Sequence, residues 1–489
     1  MNMRLMMSFL LFLMVFVPSY TDGSEPIELA PIVVEQAIAR HEQMSALMET
    51  DPAKFLQLAI TKEARSKLSR QVQAWVEQEI KVTGTLEIFH EDWPDEAKYY
   101  WFLKNGPKTY SLYIAGDMGE FYSGVKVEIK GVLLGNKVAA YAGDIKEVSA
   151  PLILPNTFGQ QKTIVILVTF QNNPITPYTT QFATDVVFSG SKSVSNYFLE
   201  NSYQQTSLTG DVFGWFTIAQ DNTVCELTKM ENLAIQAASA VGVNMSAYNR
   251  RVYAFPRNAC PWGGAAFVGG NPSKAWINDN MNLRVVAHEL GHGFGLLHSH
   301  SLDCGATTLG DNCQSIEYGD THDVMGSSFY HFNAFQKERL GWLNYGVSPP
   351  IKVVSQSGIS SVGVYEKTDQ NPKALKFVRL IDQVSKVKTW YYLESRKAVG
   401  FDAGLSANPN VLNGALVRIG TDGNTNSSYL LDMTPSTDFV PDQALEKGVP
   451  FVDQKANISM SVTSVNSEGA TMTIAFNAAP LAPANVSVQ

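Results

Sequence analysis

The chain has 489 residues, more than a single hydrophobic core usually serves, so several domains are expected. Hydrophobic residues make up 45% of the chain and charged residues 17%, a balance that excludes a disordered protein and indicates a globular one. The formal net charge of −9 at pH 7 argues against a nucleic-acid partner, because proteins that bind phosphate backbones usually carry a basic face.

The first residues have the pattern of an export signal. Arg4 precedes an apolar run from Leu5 to Val17, which a proline then ends. The run is too short to span a bilayer as a helix but suits a signal peptide, with an uncleaved membrane anchor as the alternative. We therefore assign residues 1–22 to a signal peptide and predict a secreted protein with no membrane span after its removal.

The spacing of apolar residues then changes along the chain. Up to about residue 80 they recur at threes and fours, as on helices. From Val82 they alternate within short strands that glycine, proline and aspartate turns separate. This predicts helices followed by a small, OB-like β-barrel within residues 23–150. Residues 151–160 have the composition of a linker.

The rest of the chain divides into two further regions. Strands and helices alternate over residues 161–345, which predicts an α/β domain. Alternating strands without helices follow and predict a β-sandwich over residues 346–478. Residues 479–489 form a proline- and alanine-rich, linker-like tail. The predicted fold class is multidomain α+β, with the α/β domain between the helical and barrel region and the sandwich.

The four cysteines are Cys225, Cys260, Cys304 and Cys313. An even number in an exported protein indicates two disulfides, for which three pairings exist. The short spacing of the last two favours a bond between them, which leaves the first two as the other pair. A zinc site of four thiolates is the alternative, but the closely spaced cysteine pairs that such a site normally has are absent from the sequence.

The strongest functional signal is the histidine-rich stretch "VVAHELGHGFGLLHSH". His288 and His292 stand four residues apart, so on a helix both rings project from one face and can hold one metal ion. Glu289 lies about a hundred degrees round the helix, where it reaches a water beside the metal without being a ligand. Gly295 can end the helix and turn the chain, which brings His298 to the ion as a third ligand.

Three imidazoles leave one position of a tetrahedral zinc site open, as a catalytic zinc requires. We therefore predict one Zn²⁺ ion held by these three histidines, with Glu289 as the general base of peptide-bond hydrolysis. His300 and His322 lie near the motif in sequence, and we interpret them as surface or supporting groups rather than as a fourth ligand.

The motif "HELGHGFGLLH", followed by "EYGDTHDVMG", resembles the zinc motif and Met-turn of the metzincins. Over residues 161–345 the chain is similar to the gametolysin family in particular. This resemblance implies a metzincin-type catalytic domain and a secreted zinc endopeptidase with protein or glycoprotein substrates, cell-wall or matrix proteins among them. It also implies that Met325 forms an apolar floor beneath the metal. Ser327 stands where astacin-like and serralysin-like enzymes have a tyrosine, so no tyrosine ligand is expected.

The stretch "PWGGAAFVGG" is a candidate for the edge strand on which metzincins pair an extended substrate. A glycine-rich loop fixed by Cys260 is the alternative interpretation. A peptide substrate on such an edge is held mainly through main-chain hydrogen bonds, which gives little sequence selectivity.

Two other functions compete with a peptidase. One is a secreted adhesin with a vestigial protease domain, against which the intact motif argues. The other is a metal-dependent hydrolase of non-peptide amides, against which the Met-turn argues.

An exported protease must not digest its own secretory route, so residues 23–150 have either a latency role or a permanent accessory role. Because no cysteine precedes Cys225, a thiol cannot provide latency. A carboxylate or steric cover by the barrel at residues 82–149 must then provide it.

Overall fold

The computed structural model describes residues 30–94, 96–116, 121–148, 156–437 and 442–477. The predicted signal peptide, the first half of the predicted linker and the predicted tail lie outside them. Among the described residues, no helix is long and apolar enough to cross a bilayer. The chain forms two compact units, the first comprising Met1–Leu86, Trp101–Met118 and Lys126–Ser149, and the second comprising Glu87–Tyr100, Gly119–Val125 and Ala150–Gln489. The fold is therefore α+β and multidomain, as predicted.

The first unit begins with one helix of 21 residues and three short ones. They are α1 (Ala30–Thr50), α2 (Pro52–Leu58), α3 (Lys62–Ser66) and α4 (Arg70–Gln73). Asp51, Thr61 and Ser69 cap the last three, because each side chain accepts a hydrogen bond from the backbone N–H three residues later. Capping of this kind satisfies backbone donors that a helix leaves free at its start, which explains why such short helices form here.

A ring of strands follows the helices. The strands are β1 (Gln78–Asp92), β2 (Ala97–Asn105), β3 (Lys108–Ala115), β4 (Lys126–Leu134), β5 (Lys137–Tyr141) and β6 (Ile145–Glu147), with a 3₁₀ turn at Ala142–Asp144. They pair in the order β1-β2-β3-β5-β4, and β4 also pairs with β1, which closes the ring. β3 and β5 run parallel. The ring lies in the predicted barrel region, and its OB type stays a prediction.

The second unit contains a mixed sheet with helices on both faces. Its strands are β7 (Gly159–Phe170), β8 (Thr206–Ile218), β9 (Arg250–Phe255), β10 (Gly264–Phe267) and β11 (Ser273–Asn278). They lie in the order β10-β11-β9-β7-β8. The β10–β11 pair is antiparallel, and the other three neighbouring pairs are parallel. The helices are α5 (Thr180–Thr184), continued by a π-helical turn at Asp185–Ser189, α6 (Val194–Asn201), α7 (Leu227–Ala240), α8 (Leu283–Gly293) and α9 (Ala334–Arg339), with a 3₁₀ turn at Met245–Ala247.

Strand β7 is buried on both faces, because its side chains alternate between two cores. Ile164 and Ile166 pack with Met230 of α7, while Val165 and Leu167 pack in the core that also contains Leu290 of α8. The unbroken apolar run of this strand is therefore explained by helices on both sides of the sheet. Helix α8, which carries the histidine motif, lies on one of those two sides.

The remaining strands form two sheets that share one core. They are β12 (Ser299–Asp303), β13 (Gln314–Ile316), β14 (Ile351–Val353), β15 (Gly358–Val362), β16 (Ala374–Ile381), β17 (Lys388–Glu394), β18 (Gly414–Thr421), β19 (Asn424–Leu431), β20 (Leu445–Glu446), β21 (Phe451–Asp453), β22 (Ile458–Asn466) and β23 (Gly469–Phe476), with a 3₁₀ helix at Gly400–Ala407 and α10 at Pro409–Leu412. One sheet has the order β13-β12-β19-β18-β17-β16-β14, and the other β15-β23-β22-β21. Phe377 and Val417 of the first sheet share a core with Met460 and Met472 of the second.

Strand β12 joins the region after the histidine motif to the C-terminal strands. Its residues Ser299 to Leu302 pair in parallel with Ser428 to Leu431 of β19. The predicted boundary at residue 345 therefore does not separate two sheets, and residues from Ala150 onward lie in one compact unit. The extents of the predicted catalytic domain and sandwich stay predictions.

The cysteines pair as predicted, Cys225 with Cys260 and Cys304 with Cys313. The second bond closes the connection between β12 and β13, which are antiparallel neighbours. We expect mass spectrometry of non-reduced peptides from exported protein to recover a cross-linked peptide containing Cys304 and Cys313, and the reduced sample to lose it. Free thiols on both residues in that material contradict the pairing.

Candidate metal centre

Helix α8 carries two predicted ligands and the predicted base. Asn282 caps the helix, its side chain accepting a hydrogen bond from the Val285 N–H over 3.1 Å. The helix ends at Gly293, and Gly295 follows with φ of +103°, a conformation that glycine adopts without the clash a Cβ would cause. The chain turns at Gly295, as the sequence predicted.

The three predicted histidine ligands are oriented by a hydrogen bond at Nδ1. The partners are two main-chain carbonyls and one carboxylate: Val324 O at 2.6 Å from His288 Nδ1, Leu296 O at 2.9 Å from His292 Nδ1, and Glu317 Oε1 for His298 Nδ1. A ring that donates from Nδ1 presents Nε2 as its free lone pair. The Nε2 atoms of His288 and His298 lie 3.1 Å apart, and the His292 ring centroid lies 4.9 and 5.0 Å from the centroids of those two rings, so the three rings lie together.

Glu289 is 1% exposed, and its carboxyl group receives no hydrogen bond from an amide, hydroxyl or basic group of the described residues; its neighbour is the acidic Asp92. It packs against Gly264 of β10, where a Cβ would collide with the carboxylate. Burial, followed by the nearby charge of Asp92, raises the pKa of Glu289 well above its usual value. A buried carboxyl group next to a second acid is costly for folding, which indicates a group kept for chemistry.

Asp92, at the end of β1, lies among the histidine rings. Its Oδ2 atom is 3.1 Å from His288 Nε2, and its Oδ1 atom is 3.1 Å from His298 Nε2 and 3.8 Å from His292 Nε2. Burial acts to raise the pKa of Asp92, but the adjacent histidines, His288 foremost, hold it well below its usual value. The carboxylate is therefore charged and faces the same point as the three Nε2 atoms.

His90 is the second cluster residue from β1. Its ring centroid lies 4.2 Å from that of His292, and its Nδ1 atom is 3.2 Å from Asp92 Oδ1. One donor atom from each of His90, Asp92, His292 and His298 lies within 4.8 Å of the others. Burial lowers the pKa of His90 well below its usual value, so the ring is neutral.

The donor set fits a divalent transition metal. His292 Nε2 is buried and has no hydrogen-bond partner in the part of the chain that the structure describes, which leaves its lone pair free for an ion. Burial lowers the pKa of His292 to about 4, so the ring is in the neutral form that binds metals. Imidazole nitrogens with a carboxylate oxygen are the ligand types that such ions prefer.

Glu317 and Tyr318 also contact the cluster, and sequence reasoning did not select them. Glu317 holds the His298 ring, as carboxylates commonly do for histidines at metal sites. The Tyr318 ring centroid lies 4.3 Å from that of His298, and its hydroxyl donates to Asp92 Oδ1 over 3.2 Å. Both residues stand in "EYGDTHDVMG", so their position next to the Met-turn was the available signal.

Met325 lies directly against α8. A Cβ on Gly291, between the two helical histidines, would collide with the Met325 sulfur. Met325 is fully buried, and its carbonyl accepts a hydrogen bond from the Ser299 N–H over 3.0 Å. The turn at Met325 is thereby tied to the strand that follows His298.

The other two histidines near the motif have different partners. His300 is buried, and its Nε2 atom lies 3.1 Å from the Asn426 side-chain oxygen. His322 lies 3.0 Å from the Thr321 hydroxyl through Nδ1. Neither belongs to the group of four donor residues found among the described residues, a group that also omits the predicted ligand His288.

Neighbouring histidine nitrogens beside a buried glutamate define a candidate metallopeptidase site. The sequence model of the family described as gametolysin peptidase M11 matches residues 162–383, a span that includes the motif, the Met-turn and Glu317. This match confirms the resemblance of residues 162–383 to that peptidase family.

Two further comparisons add nothing to this assignment. No curated protein matches the chain. A solved structure entitled "Structure of a chaperone-substrate complex" aligns at 13% sequence identity with a TM-score of 0.17, covering 37% of this chain and 29% of that one. This chain thus spans less than a third of that protein, and the overlap bears on neither fold nor function.

Proposed function

We propose that the chain is a secreted zinc endopeptidase in which His288, His292 and His298 hold one Zn²⁺ ion and Glu289 is the general base. The observation that carries this proposal is that three Nε2 atoms each lie within 3.8 Å of the Asp92 carboxylate, which itself adjoins the buried Glu289 carboxyl group. The two disulfides and the apolar N-terminal run are consistent with export.

The metal ion, Glu289 and Tyr318 have different roles in the proposed reaction. When bound, the zinc ion supplies a Lewis acid that polarises the scissile carbonyl and acidifies water. Glu289 accepts a proton from the attacking water and later donates it to the leaving amine. The Tyr318 hydroxyl donates toward the position of the Asp92 carboxylate, where it can donate instead to the carbonyl oxygen of a substrate.

Several finer assignments belong to the same proposal. Residues 161–345 have a metzincin-type arrangement, with Met325 as the apolar floor of the metal site. The ring of strands in the first unit is an OB-like barrel, and residues 346–478 are a β-sandwich. The support is the resemblance of the motif for the first assignment, and the closed strand order and the shared core for the other two.

Metal analysis and a zymogram together test the proposal. We expect one zinc per full-length chain, and hydrolysis of a mixed protein substrate by wild type or by the Asp92→Asn variant, which a chelator abolishes. His292→Ala is expected to weaken zinc binding by more than about a hundredfold. Loss of a group that only supports a ligand already weakens metal binding by up to about that factor, and His292 is proposed to be a ligand itself. Zinc-loaded protein without hydrolysis in either form, or hydrolysis by protein shown to be metal-free, contradicts it.

The adhesin alternative makes a different prediction for the same measurements. A vestigial site binds metal or lacks it, but does not hydrolyse peptides in any form of the chain. The intact set of His288, Glu289, His292 and His298 favours the enzyme. The zymogram also distinguishes a peptidase from a hydrolase of non-peptide amides, because only a peptidase is expected to hydrolyse its protein substrate.

A further inference from the structure

We propose that residues 88–92 occupy the substrate cleft of the same chain as a substrate mimic, with the Asp92 carboxylate in the open ligand position of the metal. The full-length chain is then latent, and displacement of this segment opens the site. This inference rests on the proposed peptidase function and adds its regulation.

The first support is the pairing of the segment with β10, the strand that the sequence suggested as the substrate edge. Residues Phe89, His90 and Glu91 pair antiparallel with Phe267, Ala266 and Ala265, respectively. The Val268 N–H also donates to the Ile88 carbonyl over 2.9 Å. Since β10 has β11 on its other side, the segment takes the edge on which a peptide substrate could add as a strand.

The second support is the alternation of side chains along the segment. In an extended strand, neighbouring residues point to opposite faces. Phe89 packs on Phe267 and Trp276, with ring centroids 5.3 and 5.8 Å apart, while Glu91 accepts a hydrogen bond from the Trp93 indole N–H over 3.0 Å.

His90 and Asp92 point the other way, into the histidine cluster. The extended backbone therefore places the Asp92 side-chain carboxylate against the Nε2 atoms of the three histidines.

The third support is the set of contacts that Asp92 makes. The three ligand histidines already have partners at Nδ1, so Asp92 meets only their metal-facing Nε2 atoms. It also accepts the hydrogen bond of the Tyr318 hydroxyl. A catalytic zinc site keeps one position open, and a carboxylate oxygen is a ligand that fills it.

His90 strengthens the block by packing rather than by hydrogen bonding. Its ring lies 4.2 Å from the His292 ring and 4.6 Å from the His298 ring, centroid to centroid. The ring covers two of the three ligand histidines while the segment is in place. Water and substrate reach the metal only after both His90 and Asp92 have left.

The test compares zinc-loaded full-length wild type with Asp92→Asn, which keeps the shape of the side chain but loses its charge. We expect a chelator to extract zinc from Asp92→Asn about tenfold faster or more, the scale on which the groups around a zinc ion alter its retention. The visible spectrum of the cobalt-substituted protein is expected to change, because the ligand set changes. Basal peptide hydrolysis is expected to rise at least about tenfold as the site opens.

Two further variants guard against misinterpretation. Asp144→Asn replaces an exposed aspartate of the first unit and is expected to match wild type in all three measurements. Phe89→Ala removes the contacts with Phe267 and Trp276 while keeping the carboxylate, and is expected to fall between wild type and Asp92→Asn. It supplies the test if Asp92→Asn does not fold.

The outcomes separate this inference from the proposed function. Equal zinc extraction, an unchanged cobalt spectrum and equal hydrolysis in wild type and Asp92→Asn overturn the inference and leave the peptidase intact. Faster extraction and an altered spectrum without hydrolysis support the ligand role of Asp92 and contradict the peptidase. If neither folded variant differs from wild type in zinc extraction, the segment does not block the metal.

Discussion

Glu289→Gln is expected to lower turnover by at least about a hundredfold while zinc stays bound, because the variant loses the general base but no ligand. Glutamine has nearly the same shape as glutamate, so it fits against Gly264 without opening a cavity beside α8. Turnover and zinc content are measured in the wild-type background and in Asp92→Asn, so that a blocked site cannot hide the effect.

The control for this prediction is Glu226→Gln, which changes an exposed glutamate, 55% accessible at its side chain, at the start of α7. Its turnover and zinc content are expected to match the parent. A Glu289→Gln protein that arrives without zinc shows that Glu289 is a ligand. One that retains full turnover shows that another group accepts the proton.

Arg418→Met is expected to lower the free energy of unfolding by about 3–5 kcal/mol, the usual effect of breaking a buried ion pair. Arg418 is 1% exposed and contacts both oxygens of the fully buried Asp320, at 2.6 and 3.1 Å. It also binds Glu394. Methionine fills much of the volume but leaves two buried carboxylates without this cation.

Chemical denaturation followed by tryptophan fluorescence measures the effect. Lys455→Met is the matched control, since Lys455 and Asp311 form an exposed pair whose loss is expected to change the free energy of unfolding by less than about 1 kcal/mol. Adding Asp320→Asn to Arg418→Met is expected to restore part of the stability, because it removes the uncompensated charge. An Arg418→Met protein as stable as the control variant contradicts the prediction.

The proximity of the three predicted ligand histidines could be predicted because their geometry is local. Two histidines four residues apart share a helix face, and a glycine that can take positive φ returns the chain to the third. The cysteine pairing followed from spacing for the same reason. Each of these predictions depends on fewer than forty consecutive residues, so the sequence pattern alone constrains it.

Asp92 and His90 could not be selected from the sequence, because no local pattern connects β1 with α8. Their position depends on the pairing of β1 with β10, a contact between distant parts of the chain. The available hint was indirect: with no cysteine before Cys225, a carboxylate was one of two remaining ways to block the site. The sequence thus left a carboxylate and steric cover both open and could not select a residue.

The join between β12 and β19 was missed for a similar reason. The pattern of alternating residues predicts that a strand exists, but it does not say which distant strand lies beside it. The C-terminal strands were therefore expected to form a module of their own. In the structure, the strand that follows His298 is part of their sheet, and Arg418 of β18 holds Asp320 near the Met-turn.

The pairing of β12 with β19 has a consequence for synthesis of the chain. Proteins emerge from the ribosome with the N-terminus first. A growing chain that has not reached Asn424–Leu431 lacks the strand beside Ser299–Leu302, so the strand that follows His298 cannot yet make this pairing. The segment that ends at Asp92 emerges long before that point. The ribosome therefore completes the proposed blocking segment, residues 88–92, before it completes the sheet that contains β12.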